Sequence, residues 1–259
     1  MPRAIITGAS KGIGKAIATE LAMKKHDLVL VARSEALLQE LSRELAKKYN
    51  VEVSYLAMDL GKVNAAQEVF DWVKTKGYSI SVLVNNAGYG LSGSFEENSI
   101  DSHRDMMQLN MITLTEMCQV FLPMLKAQSQ GYIMNIASTT AYQALPMMSV
   151  YAASKAFVLS FSRGLSHELR KTGVSVTAVS PGATDTSFND RANISEPVRK
   201  AAEKVAMTPQ AVAKIAVSAM FAKDKEIITG AINKVQAFAS WLLPKRLIET
   251  VASGIYEQV

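Results

Sequence analysis

Short apolar runs rich in β-branched residues recur along the chain and alternate with longer segments of helical spacing. Leu37, Leu38, Leu41 and Leu45, for example, fall three and four residues apart with charged residues between them, which predicts an amphipathic helix. Runs such as 28–31 and 82–84 are continuously apolar rather than alternating, as in strands that are buried on both faces of a parallel sheet. The apolar runs lie at 4–7, 28–31, 51–56, 82–84, 133–136, 174–179 and 227–229. This pattern predicts a doubly wound α/β fold, with a parallel sheet of about seven strands and helices on both faces.

A TIM barrel is the competing architecture for a chain that alternates strands and helices. It requires an eighth strand–helix unit, and it gives no reason for the glycine-rich turn that follows the first run. The sequence contains no low-complexity linker, no Pro/Gly-rich boundary and no internal repeat. We therefore predict one domain over residues 1–259.

Composition narrows the class of protein. Of the 259 residues, 49% are hydrophobic and 20% are charged, which supports a packed core and excludes a disordered chain. A single cysteine excludes a disulfide framework, and three histidines far apart in sequence predict no metal site. Cys118 lies in an apolar helical run and is expected in the core rather than as a nucleophile, whereas His103 and His167 are expected on helix surfaces.

The formal charge is +5, from 28 Lys and Arg against 23 Asp and Glu. The basic residues are scattered and reach at most pairs such as Lys47 and Lys48, so we expect solvated faces and no nucleic-acid partner. No signal-peptide core follows Met1, and no apolar run reaches the roughly 18 to 20 residues that a membrane span needs. The expected location is therefore the cytoplasm.

A glycine-rich turn separates the first apolar run from a helical segment. Glycines there permit a tight turn and let backbone N–H groups approach a pyrophosphate, while the helix N-terminus favours the anion. A plain structural turn is the alternative interpretation. The residues that we expect to bind the phosphates of a cofactor are Gly8, Ser10, Lys11, Gly12, Ile13 and Gly14.

The end of the second run bears on the type of cofactor. A site for NAD places an acidic residue there, on the ribose 2′-hydroxyl. This chain has Arg33 instead, and Lys11 adds a second cation in the glycine turn. Two cations favour the 2′-phosphate of NADP(H) over NAD(H), although Arg33 as a solvated loop residue remains the alternative. Asp59, after the third run, is expected to accept from the adenine amino group.

Several motifs then occur in a characteristic order. They are Thr-Gly-Ala-Ser-Lys-Gly-Ile-Gly at 7–14, Asn-Asn-Ala-Gly at 85–88, Asn110, Ser138, Tyr-Ala-Ala-Ser-Lys at 151–155 and Pro-Gly at 181–182. Together they closely resemble the short-chain dehydrogenase/reductase family, and the match extends from residue 5 to about residue 190. The resemblance implies an NAD(P)(H)-dependent oxidoreductase on a Rossmann-like sheet.

The resemblance also implies site residues. It assigns a catalytic set, namely Asn110, Ser138, Tyr151 and Lys155. Tyr151 and Lys155 would contact the cofactor as well. The other cofactor contacts that it implies are Asn86, Ala87 and Gly88 on the adenosine side, and Pro181, Gly182, Thr184 and Thr186 near the nicotinamide carboxamide.

Elementary chemistry agrees with this catalytic set. Reduction of a carbonyl needs a hydride from the cofactor and a proton for the developing alkoxide. A free tyrosine has a pKa of about 10, and a nearby cation lowers that pKa. Lys155 lies four residues after Tyr151, on the same helix face. Ser138 can donate to the substrate oxygen, and Asn110 is expected to hold a water that feeds protons to Lys155.

The segments that form the substrate pocket in the resembled family are largely apolar here, at 141–148 and 186–188. We therefore expect a small-to-medium apolar ketone or aldehyde as substrate, with a variable lid at about 186–208. The alternative, from another class, is a non-catalytic nucleotide-sensing or scaffold protein on the same fold.

The Val-Asp-Gly-Gly motif that frequently follows the last strand in the resembled family is absent, and an apolar extension is present instead at about 237–259. An internal packing helix is the first expectation for it. A cover for the pocket and a contact between copies stay open, and contact with a membrane surface is the less favoured option. The resemblance implies a homodimer or a homotetramer.

Overall fold

The computed structural model describes residues 3–185 and 205–256. The strands are β1 (Arg3–Thr7), β2 (Leu28–Ala32), β3 (Val53–Ala57), β4 (Ile80–Asn85), β5 (Gly131–Ile136), β6 (Val174–Ser180) and β7 (Glu226–Ile228). The helices are α1 (Gly12–Met23), α2 (Glu35–Tyr49), α3 (Ala65–Thr75), α4 (Ile100–Met107), α5 (Leu114–Lys126), α6 (Ser149–Glu168), α7 (Pro209–Phe221), α8 (Ala231–Leu242) and α9 (Lys245–Tyr256). A π-helical turn at Gln108–Thr113 joins α4 to α5, and a 3₁₀ turn at Thr139–Tyr142 follows β5.

The strands form one parallel sheet in the order β3-β2-β1-β4-β5-β6-β7. The predicted doubly wound, Rossmann-like α/β fold is therefore confirmed. Each predicted run overlaps one strand, and the ends differ by a few residues, as at β3 and β4.

The chain reverses its direction across the sheet between β1 and β4. It runs outward from β1 to β3 and then returns to β4, which pairs with the other edge of β1. Loops that leave the carboxyl ends of such neighbouring strands diverge and open a crevice, where ligands of doubly wound sheets bind. This crevice is where the site residues gather.

Apolar clusters cover both faces of the sheet. The adjacent side chains of Ile5 and Ile6 in β1 are both fully buried but point to opposite faces. Ile5 belongs to a cluster with Phe121 of α5, and Ile6 to a second cluster with Ile17 of α1. Burial on both faces explains why strands such as β2 are continuously apolar.

Two predictions about single side chains have different outcomes. Cys118 of α5 is buried, as expected, and burial raises the pKa of its thiol to about 12. His103 of α4 is not on the surface as predicted, because its ring is buried under Phe95, with the two ring centroids 5.3 Å apart. The loop before α4 covers this face, which the local helical spacing does not reveal.

The predicted apolar extension forms most of two helices. α8 begins at Ala231, six residues before the predicted start of the extension, and Pro244 separates it from α9. One side of α8 packs internally, through the buried Asn233, Ala237 and Ser240, in line with the first expectation. Among the residues that the structure describes, no helix combines the length and apolarity needed to span a bilayer. Of the predicted lid, residues 186–204 lie outside the described residues.

Candidate active site

The glycine turn after β1 has a backbone that only glycines accommodate easily. Gly8 and Gly12 have φ angles of +64° and +54°, in the region that disfavours residues with a Cβ atom. A Cβ atom on Gly14 would lie 2.3 Å from the carbonyl oxygen of Gly8. A side chain at position 14 would therefore collide with the backbone of the glycine turn.

The N-terminus of α1 faces the crevice without a side-chain cap. Its N-cap residue, Lys11, makes no capping hydrogen bond, and the first turn contains no acidic residue. Free N–H groups and the helix dipole make such an end suitable for an anion. The turn and the helix together could accept an anion such as a pyrophosphate, and the assignment of Gly8, Ser10, Lys11, Gly12, Ile13 and Gly14 to the phosphates of a cofactor stays a prediction.

Asn86 fixes this turn to the end of β4. Its Nδ2 donates to the carbonyl oxygens of Thr7, at 2.9 Å, and Gly8, at 3.2 Å. The Thr7 hydroxyl oxygen in turn accepts from the backbone N–H groups of Asn86 and Ala87, at 2.9 and 3.0 Å. Asn86 therefore joins the carboxyl ends of β1 and β4 at the crevice by hydrogen bonds. Its position in the sequence alone does not reveal this role.

The candidate cofactor-selecting residues lie around the rim of the crevice. Arg33 directly follows β2, Lys11 precedes α1, and both side chains are exposed. Neither forms an ion pair with another residue in the described part of the chain. Asp59 follows β3 and is exposed, and its Oδ1 accepts from the backbone N–H of Gly61 at 3.0 Å. Both cations are thus available to a ligand in solution.

Lys155 lies buried in α6, below the crevice. Its Nζ donates to the carbonyl oxygen of Ile136, at 2.9 Å, and lies 5.9 Å from the ring centroid of Tyr151. Burial lowers the pKa of Lys155 to about 8. The ammonium and the phenol therefore share one side of α6, as their four-residue spacing predicts.

Ser138 enters the same region from the end of β5. Its side chain is buried, and its Oγ accepts from the backbone N–H of Thr140 at 3.2 Å, so the hydroxyl can still donate. The neighbouring Thr139 N–H donates to the carbonyl oxygen of Pro181 at 2.9 Å. The turn that carries Ser138 is thereby joined to the Pro181–Gly182 turn after β6.

Asn110 lies in the π-helical turn between α4 and α5 and is buried. Its Nδ2 donates to the carbonyl oxygen of Tyr89, at 2.9 Å, and to the Ser154 hydroxyl, at 3.1 Å. Its Oδ1 accepts from the backbone N–H of Tyr89, at 3.1 Å. The amide is thus engaged with protein groups on both sides, and it connects the loop after β4 to the helix that carries Tyr151 and Lys155.

Gly88 packs against this group of residues. A Cβ atom on Gly88 would lie 2.9 Å from Oδ1 of Asn110 and 3.5 Å from Nζ of Lys155. The structure therefore brings Gly88, Asn110 and Lys155 together from three distant segments of the chain. Ala87, one residue earlier, packs on the cluster beneath the sheet.

The Pro181–Gly182 turn is held from behind by α8. A Cβ atom on Gly182 would lie 2.3 Å from Nδ2 of Asn233, which itself donates to the carbonyl oxygen of Thr229 at 2.6 Å. Thr184 donates to the carbonyl oxygen of Gly182 at 3.0 Å. Thr186, the other predicted contact here, lies outside the described residues.

Known proteins resemble this chain in sequence and in fold. A family model described as short chain dehydrogenase matches residues 2–197. The chain belongs to the short-chain dehydrogenase family. An uncharacterized oxidoreductase from Staphylococcus saprophyticus is 36% identical over 186 residues, which are 72% of this chain and 80% of that protein.

Two further members of the short-chain dehydrogenase family extend the comparison. The very-long-chain 3-oxoacyl-CoA reductase-B of Danio rerio is 35% identical over 69% of this chain, and the match spans 58% of that enzyme. A short-chain dehydrogenase from Sphingobium yanoikuyae, solved in complex with NADPH, superposes with a TM-score of 0.82 at 30% identity, over 100% of this chain and 96% of that one.

Sequence reasoning missed three residues that shape the site of this short-chain dehydrogenase. The Ser154 hydroxyl accepts a hydrogen bond from the amide of Asn110, and the Ile136 carbonyl oxygen accepts one from Nζ of Lys155. The third residue, Asn233, packs against Gly182. Ser154 had a local signal, because a serine in mid-helix often bonds to a carbonyl one turn back, and its Oγ donates to the Tyr151 carbonyl oxygen at 2.7 Å. The other two depend on contacts between distant segments.

Proposed function

We propose that the chain is an NADP(H)-dependent oxidoreductase that interconverts a carbonyl and an alcohol on a small-to-medium apolar substrate. The observation that carries this proposal is the buried Nζ of Lys155, 5.9 Å from the ring centroid of Tyr151, at the carboxyl edge of the sheet. A buried ammonium in that position favours the phenolate and so makes the phenol a usable acid near neutral pH.

The roles of the residues follow from their positions. The cofactor, when bound, supplies or accepts the hydride. The Tyr151 hydroxyl gives a proton to the alkoxide oxygen, or takes one from the alcohol in the reverse direction. The Ser138 hydroxyl donates to the same oxygen, where negative charge develops. Lys155 stabilises the phenolate, and its ammonium protons can also bond to ribose hydroxyls.

Asn110 is a positioning residue in this proposal. Its amide holds Tyr89 and Ser154 and therefore fixes the helix that carries Tyr151 and Lys155. The π-helical turn changes the register of the helix at this point, and such turns often occur at functional sites. We expect a water to carry the protons to Lys155 and a backbone group of this turn to hold that water, since the side-chain amide is already engaged.

Two observations support a nicotinamide cofactor, and NADP(H) in particular. The glycine turn and the α1 N-terminus fit a pyrophosphate, and the related Sphingobium structure holds NADPH. Arg33 and Lys11 extend free cations at the rim, near the place where the family binds the adenosine ribose, and guanidinium groups pair with phosphate as bidentate donors.

The surroundings of Tyr151 support an apolar substrate. A cluster of buried side chains, Met106, Leu145 and Met148, packs with Tyr151, and Leu91 lies against it. Methionine side chains adapt to ligands of different shape. The related Danio reductase is named for a substrate with a very long chain and a 3-oxo group, which is consistent with a carbonyl on an apolar chain.

The test is a Tyr151→Phe variant, assayed by NADPH absorbance against a panel of apolar ketones and aldehydes. We expect turnover to fall by about 10³-fold or more, because the proton donor is lost, while NADPH still binds. Tyr132→Phe, which removes a hydroxyl from a tyrosine in β5 away from Ser138, is the matched control and keeps full turnover. Full turnover in Tyr151→Phe contradicts the proposal. NADPH binding by the wild type without oxidation on every compound favours the sensing or scaffold alternative.

A further inference from the structure

The outward side of α8 exposes a row of large apolar side chains. Ile232, Val235, Phe238 and Leu242 recur at three- and four-residue intervals, so they form one stripe along the helix. Trp241 lies beside this stripe, 74% exposed, with its ring centroid 5.9 Å from that of Phe238. We call these five residues the α8 stripe. Soluble proteins rarely expose apolar patches this large unless the patch binds something.

The opposite side of α8 is firmly attached to the protein. Asn233, Ala237 and Ser240 are buried, and Nδ2 of Asn233 donates to the carbonyl oxygen of Thr229 while packing on Gly182. The inner side of α8 is therefore already packed and hydrogen-bonded within the protein, and the α8 stripe faces outward. Rotation of α8 to bury the stripe would expose Asn233 and break its contact with Gly182.

The charges next to the α8 stripe in sequence are mainly positive. Between residues 227 and 249 the sequence contains three cations, Lys234, Lys245 and Arg246, and one acidic residue, Glu249. All three cations are exposed, and Lys245 lies close enough to α8 for its Nζ to donate to the carbonyl oxygen of Ser240, at 2.6 Å. An apolar stripe with Trp and Phe, flanked mainly by cations, is typical of helices that lie in the headgroup region of a membrane.

From this combination we infer that α8 docks on the surface of an anionic lipid bilayer, with the side chains of the α8 stripe between the headgroups and the cations against lipid phosphates. Trp and Phe rings prefer this depth of the bilayer, and each nearby Lys or Arg adds attraction to anionic lipid. Such docking requires no helix that spans the membrane. It goes beyond the proposed oxidoreductase function and does not depend on turnover.

A second copy of the chain fits the same surface less well. A two-fold contact through the α8 stripe would bring Lys234, Lys245 and Arg246 of both copies to one interface, and this part of the sequence offers only Glu249 as a carboxylate to pair with these three cations. An anionic bilayer supplies those missing charges. Charge complementarity therefore favours lipid as the occupant.

The position of α8 relates this surface to the site. The helix packs against the 3₁₀ turn that follows Ser138 and, through Asn233, against Gly182. Docking would thus hold the substrate side of the crevice close to the headgroups, where apolar compounds concentrate. Failure of docking leaves the assignment of Tyr151 and Lys155 untouched, because the two experiments have separate readouts.

Trp241 provides a direct probe of the docking. The chain has two tryptophans, so a Trp72→Phe variant leaves Trp241 as the single tryptophan. We mix this full-length protein with vesicles of phosphatidylcholine alone or with phosphatidylglycerol. Anionic vesicles are expected to shift the Trp241 emission to the blue and to carry the protein into the pellet on sedimentation, whereas neutral vesicles do so much less.

Matched variants separate the apolar and the charge contributions. Phe238→Ser/Leu242→Ser removes apolar side chains, and Lys245→Glu/Arg246→Glu reverses charge; each is expected to weaken binding to anionic vesicles by about tenfold or more. Lys47→Glu/Lys48→Glu makes the same charge change at the exposed end of α2 and is expected to leave binding almost unchanged. Circular dichroism verifies that each variant is folded.

Three results would overturn the inference. The first is an unchanged Trp241 spectrum with anionic vesicles. The second is an equal loss of vesicle binding in the α2 control and in Lys245→Glu/Arg246→Glu, which would indicate attraction by net charge alone. The third is a dimer in sedimentation velocity that Phe238→Ser/Leu242→Ser dissociates, together with no vesicle binding, which would assign the α8 stripe to a contact between copies.

Discussion

Nζ of Lys155 donates a hydrogen bond of 2.9 Å to the carbonyl oxygen of Ile136, and the side chain is buried. This bond aims the ammonium from α6 toward the end of β5, directly before the turn with Ser138. One neutral carbonyl oxygen offsets only part of the loss of hydration, and burial therefore lowers the pKa of Lys155 to about 8. The consequence is a pH-dependent stability that can be measured without substrate.

We predict that the wild type gains stability relative to Lys155→Met as pH rises from about 8 to about 10. The pKa of Lys155 is lower in the folded chain than the usual value of about 10.4 in the unfolded chain. Between these values the unfolded chain binds a proton that the folded chain has lost, so the free energy of unfolding rises with pH. The expected relative gain is about 3 kcal/mol over the window.

Urea unfolding of both proteins at a series of pH values measures this gain. Both proteins carry Tyr151→Phe, which removes the phenol whose pKa Lys155 is proposed to lower, and the other titrating groups are common to the two chains, so their contributions cancel in the difference. Parallel curves with Lys155 and with Lys155→Met would mean that Lys155 keeps an ordinary pKa in the folded state.

Arg33→Ala tests the choice of cofactor. Loss of a guanidinium that pairs with the 2′-phosphate should raise the dissociation constant for NADPH by about tenfold or more and leave that for NADH nearly unchanged. Isothermal titration with both nucleotides measures the difference. Arg43→Ala, which removes an exposed arginine from α2, is the control and should affect neither. An equal effect of Arg33→Ala on both nucleotides would remove the argument for the 2′-phosphate.

Ser154→Ala tests the positioning role of Asn110. The Ser154 hydroxyl donates to the Tyr151 carbonyl oxygen at 2.7 Å and accepts from Nδ2 of Asn110 at 3.1 Å. Its removal leaves a buried amide donor without this partner, which costs about 1 to 3 kcal/mol. We expect kcat to fall by about tenfold with little change in KM, because the defect displaces the catalytic helix rather than the binding surface.

The same helix supplies the control for that experiment. The Ser162 hydroxyl donates to the Val158 carbonyl oxygen at 2.7 Å and accepts from Nδ2 of Asn135 at 2.9 Å, so its bonding copies that of Ser154 two turns further along α6. Ser162→Ala should lose similar stability but keep kcat. If both variants lose kcat equally, Ser154 has only a structural role.

The thiol of Cys118 should resist modification in the native protein. The side chain is buried, and its pKa of about 12 leaves almost no thiolate at neutral pH. A chromogenic disulfide reagent is expected to react with no thiol in buffer and with one per chain in guanidinium. Rapid reaction of the folded protein with no loss of structure would contradict the burial of Cys118.

The sequence predicted the sheet well because the strands carry their own signal. The run at 4–7 has adjacent apolar residues since Ile5 and Ile6 are buried in different clusters on opposite faces. Tyr151 and Lys155 were predictable together for a similar reason, as a four-residue interval on a helix fixes their relative direction. Local periodicity is sufficient for these features.

Features that arise where distant segments meet were not predictable in this way. His103 has the local pattern of a surface residue, yet the loop with Phe95 covers it. The side-chain amide of Asn110 bonds to Tyr89 and Ser154, contacts that depend on the register of a π-helical turn, while the water that Asn110 is expected to hold for Lys155 stays a prediction. The predicted residues of the catalytic set, with their roles, stay a proposal that the variants above will test.

The contact between Gly182 and Asn233 restricts how such proteins can be recombined. A C-terminal segment grafted from a relative would bring its own side chain to the position of Asn233, behind a turn with no space for an extra methyl group. An exchange of C-terminal segments that is meant to alter substrate range should therefore transfer residues 181–184 together with α8.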